Sequence, residues 1–147
     1  MIEVYSYKEG ERVPIVEKIQ TIPSTGSKPN QLTAACAMHL SPDEKHLFCS
    51  NAGDNTVSMY DRDDETGMLT LRFCLPISGD YPKDLVIFPD NQHIAVANHS
   101  SNSVTTFKVD YEKNIIMMKG KPRKIETPNC INIWPVPDGE DIEDLEA

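Results

Sequence analysis

The stretch Ser41-Pro42-Asp43-Glu44-Lys45-His46-Leu47-Phe48-Cys49-Ser50-Asn51, continuing through Asn55-Thr56-Val57-Ser58-Met59-Tyr60, recurs 47 residues later. The second copy reads Phe88-Pro89-Asp90-Asn91-Gln92-His93-Ile94-Ala95-Val96-Ala97-Asn98 and continues through Asn102-Ser103-Val104-Thr105-Thr106-Phe107, with no gap between the copies. Pro42/Pro89, Asp43/Asp90, His46/His93, Asn51/Asn98, Asn55/Asn102, Val57/Val104 and Asp63/Asp110 are identical pairs. A fixed period of this size, filled with short apolar runs and turn signals, marks the blade of a β-propeller.

Each copy has the same internal order. A Pro-Asp turn leads into a short apolar strand, Leu47 to Ser50 or Ile94 to Ala97. A polar loop follows, Asn51 to Asn55 or Asn98 to Asn102, and then an alternating strand, Val57 to Tyr60 or Val104 to Val109. Gly67 and Asn114 fall at equivalent turns, where a left-handed residue is needed. Outer strands are expected at Met68 to Leu75 and Ile115 to Lys119.

The repeat also extends upstream of each copy. Pro82-Lys83-Asp84-Leu85-Val86-Ile87-Phe88-Pro89 aligns with Pro128-Asn129-Cys130-Ile131-Asn132-Ile133-Trp134-Pro135, so a third unit begins with one inner strand. Ile2 to Tyr7 and Val13 to Ile22 read as the last two strands of an earlier blade. The expected class is therefore all-β, a partial propeller of roughly three blades' worth of four-stranded antiparallel units. Residues 1–33 supply two outer strands and a linker, 34–80 and 81–127 are full blades, and 128–137 hold an orphan inner strand. Residues 138–147 are mostly acidic with no apolar period and are expected to form a disordered tail.

The formal net charge of −9 and the pI near 4.8 argue against a nucleic-acid surface, which needs clustered Lys and Arg. No polybasic segment suits an anionic membrane, and no apolar run is long enough to span one. Cys36, Cys49, Cys74 and Cys130 show no zinc spacing and read as free thiols of a reducing cytoplasm. No cofactor or metal is expected. The unpaired strand edges at the two ends make association between copies of the chain a further expectation.

Ala34 to Asp43, Leu47 to Asn51, Ser78 to Asp84 and Pro128 to Cys130 together resemble the seven-bladed propeller lactonase family, which contains bacterial 6-phosphogluconolactonase and fungal carboxymuconate-lactonising enzymes. Ala34-Ala35-Cys36-Ala37-Met38-His39-Leu40-Ser41-Pro42-Asp43 resembles that family's Ala-Ala-x-Ile-His-Leu-Ser-Pro-Asp-Gly. Leu47-Phe48-Cys49-Ser50-Asn51 is similar to its Leu-Tyr-Ala-Ser-Asn, and Ser78-Gly79-Asp80-Tyr81-Pro82-Lys83-Asp84 to its Gly-x-x-Pro-Arg-Asp. Pro128-Asn129-Cys130 resembles its Pro-x-x-Cys segment. The resemblance implies hydrolysis of a sugar lactone, 6-phosphogluconolactone-like, by water without metal, and a lactone or sugar acid as the small-molecule partner. It also implies that the family's proposed catalytic His, Glu and one Arg lie in earlier blades. The one proposed catalytic position within this chain, the Arg of Pro-Arg-Asp, is Lys83, and the Arg that often follows Ser-Asn is Ala52. The alternative is a catalytically incomplete propeller fragment that binds a ligand or a protein.

Lactone hydrolysis needs an activated water, a stabilised oxyanion and cations for substrate carboxylate or phosphate. In a propeller, the loop entering the inner strand and the loop after the second strand emerge on one face. That gathers Lys83, Asp84, Asn129, Asn51, Asn98 and His99 around one mouth. Lys83 is the candidate for holding an oxyanion or anionic group, though it is also readable as a solvated turn lysine that lacks the fork of Arg. His99, the one histidine in a face-forming loop, is the candidate base. Asp84, Asn51, Asn98 and Asn129 are candidate substrate-binding residues, and for Asp84 and the asparagines plain turn chemistry is the competing account. His46 and His93 share one place in the repeat and read as structural. His39 reads as packing or channel lining, Cys130 as a small buried hydrophobe, and Phe88 and Trp134 as inter-blade core.

Overall fold

Pairing between strands, more than any single core, sets the arrangement. In the computed structural model, which describes residues 1–10, 12–26 and 32–134, ten strands form three antiparallel sheets. β1 (Ile2–Lys8) and β2 (Ile15–Ile22) make a two-stranded hairpin. β3 (Ala34–Leu40), β4 (His46–Ala52), β5 (Thr56–Arg62) and β6 (Leu69–Pro76) form a four-stranded meander, the first blade. β7 (Pro82–Ile87), β8 (His93–Asn98), β9 (Ser103–Asp110) and β10 (Ile115–Lys124) form the second blade in the same order. The chain is all-β, with propeller-like four-stranded units.

Alternation within each strand decides what packs where, because successive side chains point to opposite faces. Phe48, Val57, Met59 and Phe73 of the first blade meet Leu85, Ile87, Ile94, Val96, Phe107 and Val109 of the second in one buried cluster. The opposite face of the first blade carries Cys49, Tyr60 and Leu69, which pack with Ile2 and with Val4 and Ile22 of the hairpin. Both faces of the first blade are thus covered. Burial pushes the pKa of the Cys49 thiol up to about 12, so it packs as a neutral group.

Polar clasps fix the blades laterally. The Gln20 side chain accepts from the Leu69 N–H and donates to the Leu69 carbonyl, both at 2.7 Å, mimicking a backbone pair. Tyr60 Oη donates to the Pro23 carbonyl at 2.7 Å, and Ser58 Oγ to the Ser24 carbonyl at 2.6 Å. Between the blades, His46 stacks on Tyr111 with ring centroids 4.5 Å apart and bonds Asp61 through Nδ1. Arg72 joins Asp61 at 2.9 Å to Asn114 at 3.0 Å. His93 bonds Asp90 through Nδ1, so both repeat histidines are structural.

The turns obey the left-handed rule read from the sequence. Gly67 and Asn114 have φ of 72° and 55°. Asn55 and Asn102 have φ of 56° and 50°, and both make the same bonds. Asn55 accepts the N–H groups of Ile77 and Tyr81, and Asn102 accepts those of Ile125 and Thr127. Loop asparagines here stitch the second strand of each blade to the segment that leaves it.

Residues 131–134 pair with no other described strand, and Asp84 holds the start of this segment through the Ile131 N–H. One expectation changes. Trp134 is 84% exposed and is not inter-blade core, while Phe88 is half-buried against His93. The remainder of the third unit, the acidic tail 138–147 and linker residues 27–31 lie outside the described residues.

Candidate functional site

The inner strands bring the chemistry together. β3 and β7 are the edge strands of their sheets and pack side by side, whereas the outer strands β6 and β10 meet only slightly. The sheets therefore converge at β3 and β7, and residues there can reach across blades. Asp84 does so. Its Oδ1 lies 3.1 Å from His39 Nε2 on β3 and accepts the Leu85 N–H at 2.9 Å. Its Oδ2 accepts the Ile131 N–H at 2.9 Å, which ties in the segment after the second blade.

This carboxylate is nearly enclosed, with its side chain 12% exposed, while that of His39 is 46% exposed. Burial pushes the Asp84 pKa up, but bonds from the Ile131 N–H, His39, the Leu85 N–H and the Cys130 thiol outweigh it and hold the group below the ordinary carboxylate value. A depressed folded-state pKa stabilises the fold above the unfolded value of about 3.9, and that contribution disappears as pH falls through the folded value. Asp84→Asn is therefore expected to narrow its stability deficit against the parent chain as pH drops below about 4. Urea midpoints measured from pH 7 down to pH 3 check this; a constant deficit contradicts it.

Beside this cluster, Lys83 is half-buried and donates from Nζ to Asn129 Oδ1 at 3.1 Å. Asn129 is exposed and donates in turn to the Thr127 carbonyl at 3.2 Å. Loops at the same end of the sheets complete the surface. Tyr81 takes a left-handed φ of 57°, its carbonyl accepts the His99 N–H at 3.0 Å, and its ring tilts against that of His99 at 6.2 Å. Gly79 packs directly on the Asn98 side chain; a Cβ there would sit 2.2 Å from Asn98 Cγ, so the close approach requires glycine. Among the described residues no group of three His, Cys, Asp or Glu side chains is arranged to hold a metal ion.

Residues 1–133 match the family model described as "Lactonase, 7-bladed beta-propeller". The chain belongs to this lactonase family. A 6-phosphogluconolactonase of Formosa agariphila is 33% identical over 108 residues, which is 72% of this lactonase chain and 29% of that protein. A candidate 6-phosphogluconolactonase structure from Bacteroides fragilis superposes with a TM-score of 0.72 at 25% identity, covering 87% of this chain and 35% of the other. The structure of the Pseudomonas aeruginosa periplasmic gluconolactonase shares the fold, with a TM-score of 0.72 at 22% identity over 86% of this chain and 34% of that one. The lactonase chain thus spans about a third of the relatives it matches.

Within the lactonase chain, the residues singled out by sequence separate into two groups. Lys83 bonds Asn129, while its chain neighbour Asp84 bonds the Ile131 N–H of the same following segment. Asn51 and Asn98 do not reach solvent: each is fully buried, the first bonding Thr56 and Ser58 and the second Ser103 and Thr105. Their substrate-binding assignment gives way to a structural one, because these amides join the second and third strands of their blades. His99 is also a poor base. Its Nδ1 is buried with no hydrogen-bond partner, and among the described residues no carboxylate pairs with the ring.

Cys130 departs from its reading as well. It is exposed, and its hydrogen bond to Asp84, with the charge of that carboxylate, raises its pKa, so it is a neutral donor to Asp84 and not a nucleophile. The residue that the sequence reading undervalued is His39. The available signal was positional: it lies on an inner strand, three residues after the position that aligns with Lys83, and inner strands of adjacent blades touch.

Proposed function

We propose that the chain contributes to a surface that hydrolyses a sugar lactone of the 6-phosphogluconolactone kind, with water as the nucleophile. Family membership across residues 1–133 carries the proposal. The inner strand supports it, because Lys83, braced by Asn129, stands at the position where the Arg of the family's Pro-Arg-Asp falls. In this reading Lys83 stabilises the oxyanion that forms when water adds to the lactone carbonyl. Asn129, itself exposed, holds the ammonium in place. The four free cysteines suit a reducing cytoplasm, where the sugar acid enters carbohydrate metabolism.

The test is direct. Purified chain is mixed with glucono-δ-lactone or its 6-phosphate, and acid release is followed at constant pH against the spontaneous rate. The expected result is acceleration of ring opening, greater for the phosphorylated lactone. Rates equal to the spontaneous ones for both lactones overturn the proposal.

A further inference from the structure

His39 and Asp84 come from different blades, yet their side chains meet at 3.1 Å at the junction of the inner strands. Asp84 is fixed independently by the Leu85 and Ile131 N–H groups, so its Oδ1 presents a set lone pair to the imidazole. The second ring nitrogen of His39, Nδ1, has no hydrogen-bond partner among the described residues, and the side chain is half exposed. A carboxylate bonded to Nε2 keeps the proton on Nε2 and leaves Nδ1 as an available lone pair. An oriented histidine with one free nitrogen is the arrangement that general-base chemistry requires.

We propose that His39 is a further base at the lactone site, contributed by this chain beside the His that the family resemblance places in earlier blades, and that Asp84 is its positioning residue. This rests on the hydrolytic reading above and names a group that activates water in it. His39 Nδ1 takes a proton from water as the water oxygen bonds to the lactone carbonyl carbon, and the carbonyl π pair moves onto its oxygen. When the tetrahedral adduct collapses, the C=O re-forms and the bond from that carbon to the ring oxygen breaks. The ring oxygen then takes the proton back from Nδ1, giving a free hydroxyl and a carboxylic acid that ionises to solvent. Asp84 stays ionised throughout and touches no reacting atom.

Two measurements on the same full chain test the assignment. Nitrogen-edited NMR of the imidazoles is expected to show neutral His39 with its proton on Nε2 in the parent chain, and a shift toward the Nδ1–H form in Asp84→Asn. A parent chain with the proton on Nδ1 overturns the pairing regardless of any activity. In the lactone assay, His39→Gln, whose amide can still bond Asp84, is expected to lose about 10²–10⁴-fold in kcat. Parent-like kcat in a folded His39→Gln overturns the base while the hydrolytic reading stands. A parent chain that hydrolyses neither lactone overturns that reading, and the base with it, whichever tautomer is seen.

Discussion

Phe48→Ala is expected to lower the folding free energy by about 3–5 kcal/mol, the range for removing a large buried aromatic side chain. The residue is fully buried on β4, between His39 of β3 and Met59 of β5 in the pairing register. Its ring faces the second blade, in the cluster that contains Leu85, Ile87 and Ile94. The blades are joined there by side chains alone, since no backbone ladder links β3–β6 to β7–β10. A cavity at this place therefore costs transfer energy and also loosens the seam that brings β3 against β7. Domains of this kind hold only about 5–15 kcal/mol in total, so the loss is a large fraction of the whole. Urea unfolding followed by circular dichroism is expected to show a much lower midpoint, with a smaller decrease for Phe48→Leu. A midpoint within experimental error of the parent would mean that the blades do not pack through this seam.

The same residue shows where sequence reading succeeds and where it stops. The repeat aligns Phe48 with Ala95, and both positions read as the middle of a short apolar strand. That is correct for both, because strand identity depends on local pattern. Their energetic weight differs because the face bearing Phe48 meets the second blade, whereas Ala95 points to the other side of its own sheet. Facing is a property of neighbours, and periodicity alone does not record it.

The site follows the same division. The nearness of Lys83 and Asn129 was legible because the same turn-strand motif places them at equivalent entries of successive units. Asn51 and Asn98 looked equally polar and equally near the mouth, but one residue of register turns them inward onto Thr56, Ser58, Ser103 and Thr105. His39 could be found only from contact between strands 45 positions apart in sequence, a distance that no local motif spans.

Lys83→Ala is expected to reduce kcat for lactone ring opening by about 10²–10³-fold, the effect of deleting one oxyanion donor, with little change in KM. The split between the two constants carries the meaning. A cation that held a phosphate or carboxylate equally in substrate and transition state would, when removed, raise KM and leave kcat alone. A cation aimed at charge that exists only after water has added lowers kcat and kcat/KM together. Position favours the second outcome, because Lys83 adjoins Asp84 in the chain and is braced by Asn129 at 3.1 Å. Lys83→Arg keeps the charge but substitutes a planar fork for a compact ammonium, so it should retain more activity than alanine does. Asn129→Ala, which releases the brace without removing the charge, should fall between arginine and alanine. A rise in KM alone for Lys83→Ala would move Lys83 from the oxyanion to the anionic end of the substrate, and the donor for the oxyanion would then have to be sought elsewhere.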